Sequence, residues 1–149
     1  MIETLVPDGS SEPMIRRAFA VTNRAFQELS YVDFWYQIDD KTGSAITTGT
    51  KAELLFEFDC NIVQGALLAD QVGSIKVDAW VAAWASFPPT NAYSICGAAE
   101  LEISAAQKAV DTTLSGWSTH IDKGDTMILN VDSCATIERC LYHLRLERG

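Results

Sequence analysis

Side chains alternate between apolar and polar along most of the chain from Tyr31 onward, and this two-residue period constrains the fold more than any other feature. In the segment 51–60, four apolar side chains fall on one face of an extended chain and three carboxylates on the other. The apolar set is Leu54, Phe56, Phe58 and Cys60, and the acidic set is Glu53, Glu57 and Asp59. Successive side chains of a strand point to opposite faces, so this pattern predicts a strand with one buried face.

The same alternation recurs in short segments separated by turn residues. The predicted strands are 31–38, 51–60, 61–69, 74–80, 117–121, 126–131 and 135–146. Buried faces are expected at Met127, Leu129 and Val131, and at Cys140, Tyr142, Leu144 and Leu146. Seven or eight short strands without strand–helix alternation predict a mainly β fold, an antiparallel jelly-roll-like β-sandwich over residues 31–149.

The connections between these strands carry their own expectations. A turn is predicted at 70–73, with Asp70 capping loop amides and Gly73 at a positive φ, and another at 123–125. Asn130, Asp132 and Ser133 are expected to end a strand and bond to neighbouring loop backbones. The stretch 81–116 is expected to be irregular, with residues 104–109 forming one or two helical turns.

Residues 1–30 are predicted to form a separate N-terminal arm and anchoring helix. Ser11 is a suitable N-cap, and no helix breaker follows up to Leu29. The apolar seam, spaced 4, 3, 4, 3, is Ile15, Phe19, Thr22, Phe26 and Leu29. One interpretation is an amphipathic helix docked on its own domain or on a neighbouring protein. The other is a short parallel bundle about a symmetry axis, which would oligomerise the chain.

Charge and hydropathy exclude several classes of protein. The net charge of −9 argues against nucleic-acid binding, which relies on clustered Lys and Arg. No apolar run approaches the roughly 18–20 residues of a membrane span. The polar, acidic start of the chain does not resemble a signal peptide, so we expect synthesis and assembly in a cytoplasm.

The four cysteines do not form a metal-binding pattern. Cys60, Cys96, Cys134 and Cys140 lack a C-x-x-C pair, and Cys60 and Cys140 share strand faces with apolar residues. Buried free thiols are therefore the expectation. A calcium site from Asp70, Asp78 and Asp132 is conceivable, although no compact acidic motif is present. No metal or cofactor is predicted.

The segment from Gly49 to Leu146 resembles a module of bacteriophage tail-fibre and other virion structural proteins. The resemblance is carried by FDCNIVQGALLADQVGSIKVDAW, WASFPPT, ISAAQKAVDTTLSGW and KGDTMILNVDSCATIERCLYHL, which occur in the family's order and at similar spacing. Its most specific blocks are 68–75 and 130–133. The apolar run 81–84 departs from the family, which usually has polar residues there. The resemblance implies a jelly-roll-like sandwich, often trimeric, without catalytic residues.

These observations predict a non-enzymatic virion protein: a homotrimeric decoration, spike or fibre protein anchored by residues 1–30. Its partners would be further copies of itself and capsid, neck or tail proteins. No nucleophile elbow, zinc-protease helix or phosphate-binding loop is present in the sequence. The face of the last strand that carries Arg139, Leu141, His143 and Arg145 is expected to be exposed or to contact another subunit.

Three aromatic residues support an alternative function. Trp80, Trp84 and Phe87 lie within eight residues and could stack against sugar rings, as in the receptor-binding tip of a tail fibre that binds a host surface glycan. The competing interpretation is that Trp80 and Phe87 close one end of the core and that Trp84 lies in a subunit interface.

Overall fold

A computed structural model of the chain describes residues 30–149. The predicted helix and its seam, from Ile15 to Leu29, lie outside the described residues. The strands are β1 (Tyr31–Asp39), β2 (Gly49–Leu55), β3 (Cys60–Ala82), β4 (Leu101–Asp111), β5 (His120–Ile121), β6 (Thr126–Ala135) and β7 (Arg139–Arg148). Two single-turn 3₁₀ helices, Trp84–Ser86 and Asn91–Tyr93, lie between β3 and β4. Within this described part, no helix has the length and hydropathy of a membrane span.

The long strand β3 organises the whole sheet. Along one edge it pairs with β5 and β4, and along the other it pairs first with β7 and then with β6, always antiparallel. The strand order β1-β7-β3-β6-β2 then follows, with β4 and β5 branching from β3. The chain is therefore mainly β, as predicted, and its two layers are the two halves of one curled antiparallel sheet.

The predicted turn at 70–73 is wrong, because these residues form the bend of a continuous β3. Pairing with β7 ends at Ala69, and pairing with β6 begins at Ser74. Gly73 does not adopt a positive φ. Its requirement is space, since an added Cβ would lie 2.6 Å from the carbonyl oxygen of Ala135 and 2.8 Å from Cγ1 of Ile137.

Asp70 caps backbone amides, as expected, and it does so across the bend. Its Oδ1 accepts hydrogen bonds from the backbone N–H groups of Glu138 and Arg139, each at 3.2 Å. Glu138 ends the β6–β7 connection and Arg139 begins β7, so the contact ties the bend of β3 to the β6–β7 hairpin.

Three further local predictions are corrected by the structure. Residues 104–109 are part of strand β4, paired with β3, and are not helical. The segment 117–121 contributes only the two-residue strand β5. Asn130 and Asp132 lie within β6, where the Asn130 amide donates to the Asp132 carboxylate at 2.6 Å rather than to a loop backbone. By contrast, Gly124 has a φ of +93°, as its predicted turn requires.

The core lies between the two halves of the curled sheet. The predicted inward faces of the last two long strands are confirmed, and their side chains are at most 1% exposed: Met127, Leu129 and Val131 on β6, and Cys140, Tyr142, Leu144 and Leu146 on β7. Burying one large aliphatic side chain of this kind contributes about 1.5–3 kcal/mol.

Side chains link β1 to β2, the two ends of the strand order. The Tyr36 hydroxyl donates to the Lys51 carbonyl oxygen at 3.2 Å, where a register shift interrupts the pairing of β2 with β6. The rings of Phe34 and Phe56 pack with centroids 5.7 Å apart. The Lys51 ammonium also binds the Asp40 carboxylate at 2.8 Å. The curled sheet is thus closed by side-chain contacts.

Replacement of Gly73 by alanine should destabilise the fold. We expect Gly73→Ala to lower the free energy of unfolding by about 1–3 kcal/mol, because the new methyl group meets backbone that cannot easily move. The matched control is Gly65→Ala, whose Cβ would meet the side chain of Leu101, 2.8 Å from Cδ1, rather than backbone. Urea denaturation of both variants should show the larger loss for Gly73→Ala, and equal losses would contradict the crowding argument.

The closure at Asp40 predicts an acid-dependent loss of stability. Hydrogen bonds from the Lys51 ammonium and the Thr47 backbone lower the pKa of Asp40 from 3.8 to about 2. A depressed pKa in the folded state stabilises the protein above the unfolded pKa, and this contribution disappears as the pH falls from about 4 to 2. The stability deficit of Asp40→Asn should therefore shrink over that interval in urea titrations. Gly65→Ala removes no titratable group, so the difference between its free energy of unfolding and that of the wild-type chain should not change over the same pH interval.

Candidate functional site

The three predicted aromatic residues occupy different environments. Trp80 is half-buried on β3, and its indole Nε1 donates to Oδ2 of Asp78 at 2.7 Å. Trp84 and Phe87 lie in the segment that leaves β3, and their side chains are 69% and 48% exposed. Phe87 therefore does not close the core. Trp80 has a structural contact, whereas Trp84 and Phe87 remain available to a partner.

Trp84 and Phe87 line one shallow groove of about 200 Å³. We call it the aromatic groove, and its walls are Glu53, Leu54, Leu55, Trp84, Phe87 and Thr126. Leu55 pairs with Thr126 across β2 and β6, while the 3₁₀ turn holds the two aromatic residues close, since Phe87 N–H donates to the Trp84 carbonyl oxygen at 3.2 Å. The surface is almost wholly apolar, with Glu53 as its only charged wall residue.

A buried carboxylate holds the segment that carries this groove. Asp78 is 2% exposed and accepts three hydrogen bonds, from Trp80 Nε1, Ser94 Oγ and the Ala79 backbone N–H, at 2.7–2.8 Å. The Ile95 N–H also donates to the Ala79 carbonyl oxygen at 2.9 Å. Burying a carboxylate without such donors would be costly, so Asp78 favours the conformation in which they are present. The network therefore holds the part of segment 83–100 around Ser94 and Ile95 against β3.

Three carboxylates meet beside this network. Oxygen atoms of Asp78, Glu100 and Asp132 lie within 4.8 Å of one another. The conceivable calcium set of Asp70, Asp78 and Asp132 is thus only partly brought together, since Asp70 is engaged at the bend of β3 and Glu100 takes its place. Hard cations prefer such oxygen ligands, but the hydrogen bonds of Asp78 already give it a structural role.

A second exposed apolar surface lies on the outward side of β1, β7, β3 and β4. Its large side chains are Trp35, Leu68 and Val110, and we call it the four-strand face. Trp35 and Val110 are each 63% exposed and Leu68 is 50% exposed. Ala66 pairs with Val110 on one side and His143 on the other, and His143 Nε2 lies 3.2 Å from Asp33 Oδ1. These contacts join the four strands in one continuous surface.

The sequence predicted only part of this face. The outward positions of β7, with Leu141 and His143, were expected to be exposed or to contact a subunit. Trp35, Leu68 and Val110 were not singled out, because the pattern of an isolated strand does not show which neighbours complete its outer face. The sequence did contain one indication of this face: Trp35 alternates with the polar residues Asp33 and Gln37 and so shares the outward side of β1 with them.

The four thiols are free, and burial makes three of them unreactive. Cys60, Cys96 and Cys140 are fully buried, which confirms the prediction for Cys60 and Cys140. Desolvation raises the pKa of Cys140 to about 12 and also raises that of Cys96. Because the thiolate is the reactive form, these groups act as small apolar side chains.

No protein-family model matches the sequence, and comparison with curated proteins gives no match. Among solved structures, the chain is similar to a chain of infectious bursal disease virus Gx strain, with 10% identity, a TM-score of 0.35 and coverage of 80% of this chain and 32% of that one. It is also similar to the carbohydrate-binding module CBM36 in complex with calcium and xylotriose, with 11% identity, a TM-score of 0.35 and coverage of 80% and 99%.

A third similarity is to the Tobacco streak virus coat protein, with 10% identity, a TM-score of 0.28 and coverage of 78% and 86%. Viral coat proteins and a carbohydrate-binding module are thus among its weak structural neighbours. This chain spans about a third of the length of the infectious bursal disease virus chain. These similarities concern the β architecture alone.

Neutralising the buried carboxylate should loosen the segment that carries the groove. We expect Asp78→Asn to lower the free energy of unfolding by about 1–3 kcal/mol, because its amide group would face donors that now meet an acceptor. Asp132→Asn removes an exposed carboxylate of the same cluster and should change stability by less than about 0.5 kcal/mol. Thermal unfolding of the two variants measures this difference. Equal stability of Asp78→Asn and Asp132→Asn would contradict a structural role for Asp78.

Proposed function

We propose that this chain is a non-enzymatic structural protein of a bacteriophage virion, a homotrimeric decoration, spike or fibre protein. In this proposal residues 1–30 anchor it to the particle, and residues 31–149 form a jelly-roll-type sandwich that is displayed. The observation that carries the proposal is the exposure of two apolar surfaces, the aromatic groove and the four-strand face, on a closed β body. Clustered apolar surface of this kind is typical of interaction sites.

The sequence resemblance supports the same assignment. Its most specific blocks, 68–75 and 130–133, occupy the bend of β3 and the neighbouring part of β6, where Lys76 pairs with Ser133 and Asp78 with Asn130. The shared residues are thus those that shape the sheet. They support a common fold with the virion modules, and the surfaces outside them would adapt each module to its partners.

Proposed partners are further copies of the chain and the capsid, neck or tail proteins of the particle. Assembly would take place in the host cytoplasm, and the mature location would be the virion. A passive component needs a stable body and fixed contact surfaces, and the buried apolar core and the hydrogen-bonded Asp78 carboxylate are suited to that role.

Particle binding tests this function directly. The full chain should be detected on purified virions by immunogold labelling and should sediment as a trimer. Deletion of residues 1–29 should abolish particle labelling while leaving a folded domain with the circular dichroism of a β protein. A matched deletion of residues 1–10 keeps the predicted helix and should preserve binding. Unchanged labelling after the longer deletion would contradict anchoring, and absence of the full chain from virions would contradict the proposed function.

A second candidate function is supported by the exposure of Trp84 beside Phe87. Aromatic faces of this kind can stack on sugar rings, so a receptor-binding tip module would bind a host surface glycan there. A glycan array should then show binding that is lost in Trp84→Ala without loss of the fold. Trp80→Ala disturbs the Asp78 network and serves as the structural comparison. No glycan binding by the wild-type chain would remove this candidate.

A further inference from the structure

We draw no further inference here: the strongest candidate, the four-strand face that exposes Trp35, Leu68 and Val110 on the outward side of β1, β7, β3 and β4, carries none, because nothing in the described part of the chain shows what covers it.

Discussion

The close contact between the bend of β3 and the end of β6 is the constraint on which the rest of the structure depends. Gly73 lies against the Ala135 carbonyl and the Ile137 side chain with no room for a Cβ. The Asp70 carboxylate holds the adjoining β6–β7 hairpin by accepting hydrogen bonds from the backbone N–H groups of Glu138 and Arg139. Together these contacts let one strand change partners from β7 to β6 without ending. The curled sheet, its two layers and its closure between β1 and β2 all follow from that change.

The second constraint on the structure is a buried polar network around Asp78, at a position where apolar contacts would be usual. Asp78 binds Trp80 and Ser94 and so fixes the path of the segment between β3 and β4. That path places the 3₁₀ turn of Trp84 over the Leu55–Thr126 pair. The aromatic groove is therefore positioned by a buried carboxylate several residues away, and its shape belongs to the fold rather than to a loose loop.

The two-residue period was sufficient to predict the class of fold and the inward faces of β6 and β7, because a strand buried on one side shows that side in its sequence. It failed where long-range contacts decide the conformation. Asp70–Gly73 has the composition of a turn, but the requirement at Gly73 is space beside another strand. Residues 104–109 are rich in helix-forming residues, yet pairing with β3 overrides that preference, with Ala105 at a φ of +47°. Trp84 and Phe87 were recognised from their proximity in sequence, whereas the four-strand face needs the strand order, which no single segment contains.

Because β3 passes through both layers, the body has no internal boundary at which it could come apart. Removing either layer would take half of the central strand with it and half of β4, which pairs with β3 on both sides of the bend. Local opening is then confined to the periphery, and loss of one layer entails loss of the whole. For a component exposed to mechanical load, such a construction transmits strain along a continuous covalent backbone instead of across a weak interface between layers.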